Sequence, residues 1–318
     1  MVTSASLRIV FFGTPAFAVP TLDALIGSPH QIVAVVTQPD RPRGRGQKTS
    51  DGPVKARAIA AGLPVLQPDR LKDDSFLREL MALDADLGVV AAYGKILTDA
   101  VLAVPRLGLI NVHASLLPKF RGAAPVHRAI IAGETGTGVT IMRVVKALDA
   151  GPMLATAKSP IGPDDTSDAV EHDLARLGAA LLVEIVDRLA QGPVEEMPQN
   201  DAAATYAPRL SKVDGLIDWS VSAAEIHNRI RGLHPWPHAF TFHAAHRLIL
   251  HRSAVEGPAP SVPHGTIVEA AADRLLVATG AGALRLTEIQ PEGKRPLATR
   301  DFLAGHRLRP GDRFTGPP

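Results

Sequence analysis

Leu7-Arg8-Ile9-Val10-Phe11-Phe12, the break Gly13-Thr14-Pro15, a helical pattern over 16–26, and then Ile32-Val33-Ala34-Val35-Val36-Thr37 together decide the fold. The two apolar runs read as buried strands. Pro20 is tolerated because it falls near the first turn of the helix between them. The alternation continues downstream. Residues 53–61 form a short helical pattern stopped by Gly62, and residues 73–83 form another. Leu87-Gly88-Val89-Val90-Ala91-Ala92 and Leu109-Ile110-Asn111-Val112 are further strands. Strands alternating with helices of this length imply βαβ units, an α/β fold whose parallel sheet is covered on both faces.

A longer helix follows at 166–190, where Val170, Leu174, Leu177, Leu181, Ile185 and Leu189 recur at three- and four-residue steps. Thr166 suits its N-cap, and Asp168 and Glu171 favour the positive end of its dipole. The stretch 191–208 carries Gly192, Pro193, Pro198 and Pro208 with little periodicity, which predicts an interdomain linker. Beyond it the pattern changes. After a short helix near 222–232, β-like runs appear at 239–243, 247–252, 265–270, 274–279 and 283–289. Such spacing predicts a small barrel or sandwich. The expected division is a domain over 1–190, a linker over 191–208 and a small β-rich domain over 209–318.

The chain has 318 residues, 46% of them apolar and 21% charged, and no cysteine. That composition is ordinary for a globular protein. It excludes a disulfide framework, thiolate metal sites and a cysteine nucleophile. No apolar run reaches the roughly 18 residues needed to span a bilayer. The start, Met1 to Arg8, lacks the basic-then-apolar layout of a signal peptide. A cytoplasmic location is therefore expected. The 34 basic and 32 acidic side chains are unevenly placed: 20 against 22 in residues 1–204, and 14 against 10 in residues 205–318. The tail is the basic part, which permits a polyanionic partner, although an imbalance of four charges favours a merely solvated surface when taken alone.

A parallel sheet concentrates function at the C-terminal ends of its strands. The first strand ends in a single Gly13 rather than a G-x-G-x-x-G fingerprint, so a nicotinamide-dependent dehydrogenase is disfavoured. The strand at 109–112 runs into His113-Ala114-Ser115-Leu116-Leu117-Pro118. Alternation puts Asn111 and His113 on one side of it. An amide donor beside an imidazole can hold a carbonyl oxygen that gains charge during acyl transfer; alternatively, the histidine satisfies a strand-end backbone group. A strand near 138–145 leads to Asp149, at the same end of the sheet in this reading. Its carboxylate can orient the imidazole or take a proton from an attacking amine, or it is simply a turn residue. The segment Ser115 to Pro118 can clasp a flat heteroaromatic ligand or pack as an ordinary apolar loop. Residues 38–57 carry Arg41, Arg43, Arg45, Lys48, Lys55 and Arg57 against Asp40 and Asp51. An arginine-rich loop with glycine and proline suits phosphate backbones.

Taken together, these residues resemble the methionyl-tRNA formyltransferase family. The resemblance rests on Phe12-Gly13-Thr14-Pro15, Thr37-Gln38-Pro39-Asp40-Arg41-Pro42 with Gly44-Arg45-Gly46, and Ala92-Tyr93-Gly94. It continues through Asn111-Val112-His113-Ala114-Ser115-Leu116-Leu117-Pro118, Arg121-Gly122-Ala123-Ala124-Pro125, Gly138-Val139-Thr140-Ile141-Met142 and Leu148-Asp149-Ala150-Gly151. The tail adds Ile217-Asp218-Trp219-Ser220 and Pro235-Trp236-Pro237. The resemblance implies a Rossmann-like formyltransferase domain followed by a small OB-like β-barrel. It implies formyl transfer from 10-formyltetrahydrofolate to the α-amine of initiator methionyl-tRNA, without a metal. Asn111, His113 and Asp149 match the family's catalytic set. Ser115, Leu116, Leu117 and Pro118 match its folate-contacting segment, with Val89 and Tyr93 beside the pterin. Arg41, Arg43, Arg45 and Lys48 lie on the tRNA-contacting loop, and the barrel also binds tRNA. The protein is expected to act as a monomer away from membranes. Two rivals remain open. A folate-dependent formyltransferase for a sugar nucleotide or purine precursor shares the Asn–His–Asp set, and a noncatalytic RNA-binding module would need only the basic surface.

Overall fold

The computed structural model describes residues 6–40, 42–43, 48–49, 51–258 and 260–317. Along the chain the first strands and helices are β1 (Arg8–Gly13), α1 (Val19–Ile26), β2 (Gln31–Val36), β3 (Pro42–Arg43), β4 (Lys48–Thr49), α2 (Pro53–Ala60), β5 (Val65–Leu66), α3 (Asp74–Ala82), β6 (Leu87–Ala91) and α4 (Asp99–Leu102). Next come β7 (Leu109–His113), β8 (Arg121–Gly122), α5 (Pro125–Ile131), β9 (Gly136–Arg143), β10 (Met153–Pro160), α6 (Ser167–Gln191) and β11 (Tyr206–Ala207). The remainder is α7 (Ala223–Gly232), β12 (Ala239–His243), β13 (His246–Glu256), β14 (Ile267–Ala271), β15 (Arg274–Ala278), β16 (Ala283–Pro291), β17 (Leu297–Ala298) and α8 (Thr299–Gly305). Two compact units result: Met1–Pro125, Gly136–Pro160 and Glu171–Ala207 form one, and Val126–Thr135, Ile161–Val170 and Pro208–Pro318 the other.

The first unit holds a seven-stranded sheet in the order β10-β9-β7-β6-β1-β2-β5. From β5 to β7 neighbouring strands are parallel, as the βαβ alternation predicts. These strands are apolar along their length because both faces are covered: Ile9, Val10, Phe11 and Phe12 are all fully buried. The next strand corrects the sequence reading. The run expected near 138–145 is β9, and it lies antiparallel to β7, with Ile110 opposite Arg143 and His113 opposite Thr140. β10, which the sequence reading did not anticipate, pairs antiparallel with β9 as an edge strand. From Ala155 on, its half-buried and exposed positions alternate, and Ala155, Ala157, Lys158 and Pro160 hide that alternation from a hydrophobicity pattern.

In the second unit β12-β13-β16-β15-β14 form an antiparallel sheet, with β17 added on β16. The chain's last segment joins its two edges. Thr315 and Phe242 exchange backbone hydrogen bonds at 2.9 and 3.1 Å, while Ile267 N donates to Asp312 O at 2.8 Å and Phe314 N to Gly265 O at 2.9 Å. Residues 312–315 thus bridge β12 and β14 and close the sheet into the expected barrel. Trp219 fills one end, stacked on Phe314 with centroids 5.6 Å apart and its indole N–H donating to Thr241 Oγ1 at 3.0 Å. The helix predicted near 222–232 is α7, started by a reciprocal Ser222–Glu225 capping box. Among the described residues no helix is long and apolar enough to cross a membrane.

Candidate active site

Three loops of the first unit are tied at the C-terminal ends of β1, β2 and β6. Thr14 Oγ1 donates to Tyr93 O at 3.1 Å and Gln38 Nε2 donates to the same carbonyl at 2.8 Å. The Tyr93 ring is buried edge-on to Phe12, with 5.6 Å between centroids. Its hydroxyl meets no partner, and burial pushes its pKa up to about 12. Val89 is likewise fully buried in β6. Of the two residues expected beside a pterin, neither offers an exposed side chain; between Val89 and Gly94 the exposed residues are Ala92 and Gly94.

β7 carries Asn111 and His113 between β6 and β9. Their direction is set by Val112, which points the other way. A Cβ on Gly178 would fall 2.7 Å from Val112 Cγ1, so α6 lies directly against that face of β7. A glycine inside a helix costs roughly 1 kcal/mol relative to alanine, and here it allows the close approach. Asn111 and His113 are left facing the opposite side.

His113 is 5% exposed. Its Nε2 donates to Phe120 O at 3.0 Å, a partner that can only accept, and its Nδ1 lies 3.7 Å from Asp149 Oδ2. A second proton, on Nδ1, would face that carboxylate. Asp149 Oδ2 also accepts from Gly122 N at 2.8 Å. The sequence reading brings Asp149 off the end of a strand running beside His113. Because β9 runs antiparallel, its loop departs next to Ile110 instead, and the carboxylate reaches His113 across the length of β7. Asp149 itself has a φ of 48°, a region disfavoured for most side chains but less so for aspartate.

The residues that hold this arrangement come from the stretch expected to be a linker. Gln199 Nε2 donates to Asp149 O at 2.8 Å and Gly151 O at 2.7 Å. Its Oε1 accepts from both Nε and Nη2 of the buried Arg121, and Arg121 Nη2 also bonds Asp201 at 2.7 Å. Thr205 Oγ1 accepts from Phe120 N at 2.8 Å, and β11 pairs with β8 alongside. Sequence reasoning missed Gln199 and Thr205. Nothing in a stretch without periodicity marks them, whereas Arg121-Gly122 stood among the quoted motifs without a role.

The segment after His113 is folded on itself. Ser115 Oγ donates to Lys119 O at 2.6 Å, its carbonyl accepts from Thr140 Oγ1 at 2.7 Å, and Leu117 N donates to the same hydroxyl at 3.1 Å. Ser115 and Leu117 are buried, while Leu116 and Pro118 remain half-buried. Of the basic loop, Arg41 and Arg45 lie outside the described residues, and Arg43 and Lys48 are backbone-paired across the β3–β4 hairpin. Its stem is anchored by Lys55, which pairs with Asp40 and with Asp51, the latter at 2.8 Å. The Lys55 hydrogen bond holds the Asp40 carboxyl below its usual range. In the second unit a groove of about 890 Å³ is lined by Arg247, Lys294, Arg295 and Arg307 among others, with Glu292 the one acidic member.

Residues 7–186 match the formyl transferase model, and residues 209–307 match that of the formyl transferase C-terminal domain. The chain belongs to the formyltransferase family. Within it, relatives that match over nearly their full length include methionyl-tRNA formyltransferases. That of Methylococcus capsulatus is 49% identical over 302 residues, covering 95% of this chain and 98% of the relative. That of Moorella thermoacetica is 44% identical over 306 residues, covering 96% and 98% respectively. Among solved structures, an N-formyltransferase from Helicobacter canadensis, in complex with folinic acid and dTDP-3-aminofucose, superposes with a TM-score of 0.69 at 18% identity, over 90% of this chain and 99% of that one. HypX from Aquifex aeolicus in complex with tetrahydrofolic acid gives 0.64 at 15% identity, over 94% of this chain and 47% of that one. These two share the fold.

Proposed function

We infer that this chain transfers a formyl group from a folate donor to the α-amine of methionyl-tRNA. The observation that carries the reading is full-length identity of 44–49% to methionyl-tRNA formyltransferases, extending through both units. The donor we assign is 10-formyltetrahydrofolate, taken against Leu116 and Pro118 with main-chain groups near Val89 to Tyr93; Ser115 and Leu117 shape that segment from inside.

Asn111 and protonated His113 hold the formyl oxygen as it gains negative charge, and His113 shares with it the Nε2–H now given to Phe120 O. Asp149 balances the imidazolium and accepts the proton of the attacking ammonium, directly or through water. The bond formed joins the substrate nitrogen to the formyl carbon. The bond broken joins that carbon to the donor nitrogen, which takes up a proton. No covalent bond to the protein is required, in keeping with the missing cysteine. Arg41, Arg43, Arg45 and Lys48 are assigned to the acceptor-stem backbone, and the basic groove of the second unit gives a further surface for the same polyanion. We assign residues 1–190 to catalysis and 209–318 to tRNA binding, in a cytoplasmic monomer.

The test offers purified protein 10-formyltetrahydrofolate with methionyl-tRNA, with an amino-sugar nucleotide and with a purine-precursor amine. Formylation of the aminoacyl-tRNA alone is expected. Transfer only to a small amine would overturn the tRNA assignment, and no transfer at all would leave only the noncatalytic rival standing.

A further inference from the structure

In the second unit His234 and His238 bracket Pro235-Trp236-Pro237, between α7 and β12, and His251 lies on β13. The pairing of Ala239 with Leu250 carries the register on so that His238 falls opposite His251. His238 adopts a φ of 65° and its backbone N donates to Leu233 O at 3.0 Å, which turns the ring inward at this corner. The three ring centroids are 4.6, 5.4 and 6.0 Å apart, and one nitrogen from each ring lies within 4.8 Å of the other two. We propose that His234, His238 and His251 form a binding site for a borderline divalent metal ion such as Zn2+.

The hydrogen bonds behind the rings support this beyond proximity. Gln290 Nε2 donates to Lys294 O at 2.7 Å, which fixes the amide so that its Oε1 faces His251. His251 Nε2 therefore donates to that oxygen, at 2.7 Å, and its Nδ1 carries the lone pair. His234 Nε2 faces Asp168 Oδ1 at 3.9 Å, and its buried Nδ1 meets no protein partner. His251 is thus held from behind by an oxygen acceptor with its other nitrogen free, the usual outer-shell support of a ligating histidine, while the Asp168 carboxylate stands behind His234 beyond hydrogen-bonding distance. Tetrahedral bonds of about 2.0 Å put ligand nitrogens about 3.3 Å apart, so modest ring rotations complete the site. Imidazole ligands without thiolates suit Zn2+, Co2+, Ni2+ or Cu2+ rather than Mg2+ or Ca2+. Charges around His234 and His238 are balanced: Asp168 and Glu288 favour a cation, and Arg247 and Arg252 oppose it. A cavity of about 340 Å³ has His251 in its lining.

The full chain, prepared without a polyhistidine tag and stripped with chelator, is dialysed against micromolar ZnCl2 and its metal content measured. Near-stoichiometric zinc is expected in the parent, falling below about 0.1 per chain in His238→Asn and in His251→Gln. Asparagine tolerates the left-handed backbone at 238. Circular dichroism identifies any variant that fails to fold, and the two are scored independently. On the parent itself, Co2+ should give the visible bands of a tetrahedral nitrogen site, bleached by Zn2+. Parent protein without zinc and without those bands would overturn the proposal. So would stoichiometric zinc retained by folded His238→Asn or His251→Gln protein.

Discussion

Gly151→Ala should disable the enzyme without unfolding it. A Cβ at position 151 would stand 1.9 Å from the carbonyl oxygen of Arg143 and 2.9 Å from its carbon, whereas real Cβ contacts keep at least 3.0 Å. Backbone lies on both sides of the clash, and Arg143 N is bonded to Pro152 O at 2.9 Å, so no side chain can turn away to relieve it. The loop must withdraw by the difference between 1.9 and 3.0 Å, about 1.1 Å. Asp149 is two residues away on that loop. A displacement of this size would stretch its 2.8 Å bond to Gly122 N towards 3.9 Å, past hydrogen-bonding distance, and loosen its hold on His113. Misplacement of a catalytic group by about 1 Å costs on the order of 10²-fold in rate. The assay is the initial rate of N-formylmethionyl-tRNA formation, with kcat and KM for both substrates and a thermal melt alongside. Loss should appear in kcat, with KM for tRNA close to the parent value. Gly136→Ala, on the strand that carries Arg143, is the control, since its Cβ would lie 3.8 Å from the nearest atom. A folded Gly151→Ala enzyme with kcat within about threefold of the parent would refute the reasoning. Either Asp149 tolerates such a shift, or it does not assist the reaction.

The remaining expectations concern single side chains. His113→Ala should keep its melting temperature within a few degrees and lose at least about 10²-fold in kcat; near-normal turnover would remove the imidazole from the mechanism. Gln199→Ala deletes the two bonds to Asp149 O and Gly151 O, and should cost about tenfold in kcat with little change in KM for tRNA. A KM effect alone would place Gln199 in tRNA binding instead. Arg45→Ala should weaken tRNA binding and flatten its log–log salt dependence by about one charge; an unchanged slope would make the loop a bystander. His127 is pushed down from 6.5 to about 4, by burial first and by Arg128 second. Between those values the unfolded chain binds a proton that the folded chain refuses, so stability falls as pH drops through that window. Melting temperatures recorded from pH 7 to pH 4.5 should decline less steeply in His127→Gln, and parallel curves would show that another group dominates.

Strands β1, β2, β6 and β7 were legible because each is covered on both faces along most of its length. A strand such as Ile9 to Phe12 must be apolar throughout, and a short apolar run is a signal that survives in one dimension. The barrel was legible for a different reason, since its short β-like runs are separated by turns such as Glu256-Gly257-Pro258 and Thr279-Gly280-Ala281-Gly282. Antiparallel β9 was not legible. Its residues, Gly138-Val139-Thr140-Ile141-Met142, are those of any buried strand, and direction is decided by the connection. That connection runs over residues 114–135 through β8 and α5, and nothing in its composition distinguishes it from a crossover that returns the chain parallel. β10 failed on burial: with one face open at the sheet's edge, it lacks the apolar run that revealed the others.

The same distinction explains the candidate site. Asn111 and His113 could be paired from sequence because both sit on one strand, where alternation fixes their common side before any tertiary contact forms. Asp149 could be named but not correctly routed, since its approach depends on the antiparallel turn of β9. Gln199 and Thr205 could not be found, because they act through an amide and a hydroxyl on the backbone of other loops, and residue type encodes no partner. A stretch rich in proline and poor in periodicity fits either a tether or a scaffold. What separates the two is where its polar groups are satisfied. In 191–208 they are spent on Asp149, Gly151, Phe120 and Arg121. A free tether would leave them to water. The stretch therefore forms part of the support for the loop that carries Asp149, which is why Gln199→Ala should register in turnover.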